Sequence, residues 1–334
     1  MLTEAIGKLK LNENLDFDEA KTAFEEIVSQ KAKSEDVAEF LSLLADKGET
    51  AEEIAAAVSC LKSHALMVNT GFNLLDTCGT GGDGKSTFNI STASAIVCSL
   101  FVKVAKHGNR AITSKSGSAD LLNELGIPTQ LKPDEALEFL KRNDFVFLFA
   151  PVYHPAVGAV AEVRKQLKRR TIFNLIGPLL NPFEATSQLI GVFSREFLAR
   201  MFDATRIIGM KNVCMVSSFD GLDEISIASK TKCFIRKNDI EEMLVFDPEE
   251  LNISGSLEDI KGFDAKTNAK LLIEAFEGKH EKLADAIALN AAFALFVADM
   301  ADSVEEGFRV AKEAITKGKA LEKLLSLRME DEAA

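Results

Sequence analysis

Apolar positions in the first 65 residues recur at helical spacing. Asp16 stands three residues before Glu19, a capping-box spacing, and Ala20, Phe24, Ile27 and Val28 then fall on one face. Ser34 is placed to cap a second helix with Val37, Leu41 and Leu44 inward, stopped by Gly48. Thr50 and Glu53 repeat the capping-box spacing and open a helix through Leu61. Three short amphipathic helices predict a small helical domain that must pack on another segment or another subunit.

The pattern changes near 68–71. Short apolar runs at 73–77, 102–105, 145–149, 188–192 and 213–217 read as strands. Helical stretches at 91–100, 118–125, 156–168 and 195–208 alternate with them. This alternation predicts an α/β domain with a mainly parallel central sheet and surrounding helices. Further strands are expected at 224–228 and 232–235, then helices from Thr267 onward. The expected division is 1–70 helical and 71–334 α/β. The most apolar stretch, 284–300, is interrupted by Asp285, Asn290 and Asp299, so it reads as a buried helix and not a membrane span.

Charge narrows the partners. With 39 Lys plus Arg against 51 Asp plus Glu, the net charge of -12 disfavours nucleic acid and anionic membrane. An anionic substrate would need a local positive cluster. The five cysteines are odd in number and none is spaced C-x-x-C, which argues against a disulfide framework and a zinc site. The N-terminus lacks a basic segment and an apolar core, so no signal peptide is expected, and a reducing cytoplasm fits best.

The run from Asp76 to Ser86 follows a strand and carries Gly79, Gly81, Gly82 and Gly84. Glycines let backbone N–H groups turn inward toward a phosphate, and a helix start near Ser91 adds its own anion preference. The Gly79-x-x-x-x-Gly84-Lys85-Ser86 spacing also satisfies a nucleotide-binding P-loop. A P-loop helix runs on directly from the Lys and Ser, whereas weak helix formers at 87–90 intervene here. A strand at 213–216 ending in Ser217, Ser218 and Asp220 could serve as its partner. These residues alone leave an NTPase open.

The longer run Gly79-Thr80-Gly81-Gly82-Asp83-Gly84-x-x-Thr87-Phe88-Asn89-Ile90-Ser91-Thr92 resembles the anthranilate phosphoribosyltransferase family. Lys106-His107-Gly108-Asn109-Arg110, Ser116-Gly117-Ser118-Ala119-Asp120, His154-Pro155-Ala156, Arg164, the block from Asn174 to Pro182, and Gly221-Leu222-Asp223-Glu224 continue it in order. The resemblance implies transfer of a phosphoribosyl group from phosphoribosyl pyrophosphate (PRPP) to the amino group of anthranilate. It implies two Mg2+ ions held with the help of Ser91, Asp223 and Glu224. It implies a homodimer formed through a helical domain that also takes in about 165–185.

By the same resemblance, Gly79, Gly82, Asp83, Thr87, Asn89, Ile90, Ser91 and Thr92 would bind PRPP. So would Lys106, His107, Gly108, Asn109 and Arg110, followed by Ala111, Ile112, Thr113, Ser114 and Ser118. Gly79, Asn109 and Arg164 would bind anthranilate, the guanidinium meeting its carboxylate. His107 is a candidate proton acceptor; His64 and His280 read as structural or exposed. Val157 and Lys168 depart from the family pattern, where Met and Gly are expected, and neither falls on an implied contact. A pyrimidine nucleoside phosphorylase shares the architecture but has different glycine and lysine motifs. A nucleic-acid-binding relative would be basic and lack the Asp223-Glu224 pair.

Overall fold

The computed structural model describes residues 1–111 and 115–329. Four helices come first: α1 (Leu2–Lys10), α2 (Phe17–Val28), α3 (Ser34–Lys47) and α4 (Ala51–Ser63). Then follow β1 (Leu74–Gly79), α5 (Ile90–Cys98), β2 (Lys103–Gly108), α6 (Ser118–Glu124), α7 (Pro133–Asn143) and β3 (Phe145–Phe149). Next come α8 (Ala150–Tyr153), α9 (Ala161–Leu167), β4 (Ser187–Gly191), α10 (Arg195–Ile208), β5 (Asn212–Ser218), β6 (Thr231–Lys237) and β7 (Ile240–Phe246). The chain closes with α11 (Ala265–Phe276), α12 (Glu281–Val297), α13 (Val304–Thr316) and α14 (Lys319–Ser326).

Both expected capping boxes form: Asp16 accepts from the Glu19 N–H and Thr50 from the Glu53 N–H. Ser34 does not cap; it is the first helical residue, and Lys33 precedes it without a side-chain cap. Helix α1 is additional to the three expected, with Leu2, Ala5, Ile6 and Leu9 as its buried face. The expected 156–168 helix begins as a tight 3-10 turn, Pro155–Val160, before α9. No strand forms over 224–228. That segment is held as a turn by the Ser226 hydroxyl on Asp220 (2.6 Å) and the Leu222 N–H on Ser218 Oγ (2.9 Å). An additional strand, β7, instead pairs antiparallel with β6.

The sheet runs β3-β2-β1-β4-β5-β6-β7. β1 to β5 are mutually parallel and the last two strands are antiparallel. Period-two alternation divides its faces. Leu189, Cys214 and Val216 join one core with α5, α11 and α12; Ile190, Val213 and Met215 join another with α2, α4 and α10. Buried α12 places its polar interruptions on partners. Asp285 pairs with Lys312 at 2.5 Å, and Asn290 makes both a donor and an acceptor bond to the Ile225 backbone. Among the described residues no helix is long and apolar enough to cross a membrane.

All five parallel strands therefore end on one edge. In such sheets the loops after the strand ends build the ligand crevice.

Candidate active site

β1 ends at Gly79, in register with Gly191 at the end of β4. The turn carrying Asp223 lies directly over this pair. A Cβ on Gly79 would come within 2.5 Å of Asp223 Oδ2, and one on Gly191 within 1.5 Å of the Asp223 carbonyl. Two glycines on adjacent strands thus create the space for an acidic turn. The Gly81 N–H donates to Asp223 Oδ2 at 2.6 Å, and Gly81 and Gly82 both take positive φ.

Beyond the glycines the chain runs on without a helix as far as Asn89. The Phe88 N–H donates to the Ile260 carbonyl and the Gly262 N–H to the Ser86 carbonyl, each at 2.8 Å. Thr87 bridges Lys261. Helix α5 starts only at Ile90. Lys85 and Ser86 therefore do not open a helix, as a P-loop requires.

The start of α5 meets β2. Lys106 is buried; its ammonium donates to the Thr77 carbonyl at 2.5 Å and lies 3.4 Å from Ser91 Oγ. Thr92 donates to Ser118 Oγ at 2.9 Å. Asn89 acts inside the fold: it donates to the Ser116 carbonyl and accepts from Asn268. Beneath Lys106, buried Asp76 accepts from the His107 N–H, from Asn181 and from Gln188 at 2.9–3.1 Å. Burial raises the Asp76 carboxyl to about 6, against the pull of Lys106.

His107 and His154 are buried and meet edge to face, ring centres 5.1 Å apart. Among the described residues neither ring has a partner within normal hydrogen-bond geometry, though the Gly177 backbone beside His107 and the Leu180 backbone beside His154 each favour the protonated ring. Burial lowers His107 to about 3, helped by His154, and lowers His154 to about 4. Both are neutral near pH 7. So depressed a basicity makes His107 a poor proton acceptor, because an effective base titrates near the working pH.

Asp83, Asp223 and Glu224 face one another across the crevice. Each residue keeps some surface open to solvent, but Asp83 Oδ2 and Glu224 Oε2 are covered and have no hydrogen-bond partner among the described residues. Burial raises Asp223 to about 6, and Asp83 adds repulsion. Burial lifts Glu224 well above its ordinary value, with Asp223 and Asp83 contributing; the Ser91 N–H and Lys106 oppose this. Crowded carboxylates with idle lone pairs fit a hard cation that takes oxygen ligands.

Arg164 stands on α9, half-buried, its guanidinium 5.3 Å from the Phe173 ring centre. It has no hydrogen bond or ion pair among the described residues, and burial lowers its pKa. It is thus free to meet a carboxylate. Arg169 is committed to Asp46 on α3 at 2.6 Å. Arg170 donates to the Gly82 carbonyl and stacks 3.8 Å from the Phe193 ring centre. Asn109 and Arg110 are exposed, and the Ala111 N–H donates to Asp120. Ile112, Thr113 and Ser114 lie outside the described residues.

The structure thus gathers Gly79, Gly82, Asp83, Ser91, Lys106, Asp223 and Glu224 around one crevice. Sequence reasoning assigned no role to Gly191, Asp76, Gln188 or Arg170. Their partners lie far along the chain, so only three-dimensional pairing reveals them.

Two family models cover nearly the whole chain: a glycosyl transferase family helical bundle domain over 3–65 and a glycosyl transferase family α/β domain over 71–321. They define the class as a two-part glycosyl transferase. Anthranilate phosphoribosyltransferases are similar at 44% identity in Caldicellulosiruptor saccharolyticus (98% of each chain covered) and 42% in Pelagibacter ubique (97% and 98%). The Thermus thermophilus enzyme superimposes with a TM-score of 0.91 at 36% identity, covering 97% of this chain and 98% of that one. The Saccharomyces cerevisiae enzyme in complex with PRPP and Mg gives 0.87 at 29%, covering 97% and 95%. The chain belongs to the anthranilate phosphoribosyltransferase family.

Proposed function

We propose that this chain transfers the 5-phosphoribosyl group of PRPP to the amino group of anthranilate, releasing pyrophosphate, in tryptophan biosynthesis. One observation carries the reading: the crowded Asp83, Asp223 and Glu224 carboxylates, with Asp83 Oδ2 and Glu224 Oε2 unpartnered among the described residues, front a glycine loop, a helix start and a buried lysine. Negative carboxylates beside an anion cradle make sense when a cation lies between them and a polyphosphate. The related yeast enzyme, solved with PRPP and Mg, fits that picture.

Asp223 and Glu224, with Ser91, would hold Mg2+, and we assign two ions per chain. Bound there, Mg2+ supplies charge relief for pyrophosphate. The glycine-loop N–H groups and the α5 start would grip PRPP oxygens, with Lys106 beneath them. Gly108, Asn109, Arg110 and the stretch to Ser114, with Ser118, would hold the remaining phosphate. Arg164 would seat the anthranilate carboxylate by two parallel hydrogen bonds, with Gly79 and Asn109 on the amine side.

In the transfer, the amine lone pair forms the N–C1 bond as the C1–O bond to pyrophosphate breaks with its electron pair. The new nitrogen sheds its proton readily because it is bonded to an aromatic ring. A strong base is unnecessary, which suits the low basicity of His107. Holding the reactants in line and stabilising the leaving group would do most of the work.

We also assign a homodimer through the helical surfaces, where Met1 and Leu11 are exposed, and a cytoplasmic location. The helical unit would comprise 1–70 plus 165–185. Ile172, Phe173 and Leu175 share a core with α2, α3 and α4, which supports that division. The direct test mixes purified protein, PRPP, Mg2+ and anthranilate and follows anthranilate fluorescence. Steady loss is expected; a folded protein that causes none overturns the reading.

A further inference from the structure

Cys60 and His64 are four residues apart, on α4 and at its C-terminal cap, so they share one face of that helix. α2 packs along the same face and presents Glu25 between them. Cys60 Sγ lies 3.5 Å from Glu25 Oε2, and His64 Nε2 lies 2.8 and 3.0 Å from the two carboxylate oxygens. All three donor atoms fall within 4.8 Å of one another. The thiol is buried, while the His64 and Glu25 side chains retain 34% and 45% exposure. An ion could therefore enter from solvent and meet sulfur at the bottom.

Cys60 belongs to the helical core, and what sets its sulfur apart is that it also touches the Glu25 carboxylate of a glutamate–histidine pair. Cys60 has only that carboxylate as a side-chain partner among the described residues. Burial and the Glu25 charge push the thiol up to about 12, so it stays protonated until a cation displaces the proton. C-x-x-C spacing is not required when sulfur, nitrogen and oxygen donors converge from two helices.

We propose that Cys60, His64 and Glu25 form a binding site for a borderline-soft divalent ion of the zinc type, with water completing its shell. The donor set is mixed thiolate, imidazole and carboxylate, which suits that ion and not Mg2+. On binding, the thiol releases its proton to solvent and sulfur bonds the metal. Thiolate and carboxylate together then balance the double positive charge. Ser29 Oγ, 3.3 Å from Glu25 Oε1, would orient the carboxylate from behind, and the Lys21 charge nearby favours the thiolate. The bound ion would tie α2 to α4. The site shares no residue with the Asp83, Asp223 and Glu224 cluster.

Cobalt reports the sulfur directly. Metal-stripped full-length protein titrated with Co2+ should develop a thiolate-to-cobalt charge-transfer band saturating at one equivalent, and Zn2+ should bleach it. Zn2+ should also raise the thermal midpoint. Cys60→Ser should lose the band while retaining transferase activity. His64→Ala should weaken Zn2+ binding by at least the roughly 10- to 100-fold that loss of an outer partner costs. A folded protein with no band at any cobalt concentration it tolerates overturns the proposal. So does a band kept by Cys60→Ser, which would place the ion on another cysteine. If Cys60→Ser fails to fold, the half-exposed His64→Ala decides: unchanged affinity overturns the site.

Discussion

An ionised carboxylate with an idle, covered oxygen destabilises a fold unless something positive sits beside it. Glu224 and Asp83 each have such an oxygen, and Asp223 adds a third charge. Replacing Asp223 by Asn and Glu224 by Gln removes the repulsion. Thermal stability without metal should hold or rise. Turnover should fall roughly 100- to 1000-fold, the scale of losing an electrostatic contact to developing charge. Unchanged kcat at saturating Mg2+ would sink this assignment. The histidine pair makes a separate statement about pH. His107 and His154 titrate near 3 and 4 when folded and near 6.5 when unfolded. The unfolded chain therefore binds more protons between those values, and their contribution is intact above about 6.5 and lost as pH falls toward 4. Asp76, raised to about 6, works oppositely: its share of stability declines as pH rises from about 4 to 6. His154→Gln should flatten the acid-side slope by up to about 1.4 kcal/mol per pH unit. Urea midpoints measured from pH 7 to 4 test this; an unaltered slope would mean His154 is not buried neutral.

At the scale of elements, position on a strand end matters more than residue type. Gly191 ends β4 with the Asp223 carbonyl where its Cβ would be. Gly191→Ala must push the acidic turn outward by more than about an ångström, since the two atoms would otherwise overlap. A misplacement of that size costs about 100-fold in kcat/KM, with a stability loss of about 1–3 kcal/mol. A variant with near-normal kinetics would show that the turn has slack. The same element explains what sequence reading can reach. The glycine run, the late helix start and the Asp223-Glu224 pair are local patterns, each visible within a few residues. Gly191 looks ordinary in sequence because its constraint is Asp223, a residue on another turn. β7 is hidden for a related reason. As an edge strand it exposes Ile240, Met243 and Val245, so burial imposes no clean alternation on it. The expected strand over 224–228 has β-branched apolar residues, but Asp220, Ser218 and Ser226 compete with strand pairing by bonding one another and nearby backbone.

Across the whole molecule, two neighbouring arginines connect the parts that make the crevice. Arg169 reaches back to Asp46 on α3, while Arg170 reaches forward to the Gly82 carbonyl and lies over Phe193. The chain between α9 and β4 thus holds the helical bundle with one side chain and the glycine loop with the next. Phe193 in turn fixes the loop from below, since its N–H donates to Thr80 Oγ1 at 3.0 Å. Arg170 is exposed, so its charge is screened and the link is worth about 1 kcal/mol. Its loss should act mainly on loop order. Arg170→Ala is expected to raise KM for PRPP roughly fivefold, with a smaller change in KM for anthranilate. Arg170→Lys should recover little, because an ammonium cannot reproduce the planar stack on Phe193 while bonding the carbonyl. Equal effects on both KM values, or full recovery by lysine, would show that Arg170 supplies only charge. A selective effect would show that docking of the helical bundle and closure of the glycine loop are one mechanical event, carried by adjacent residues of a single connecting segment.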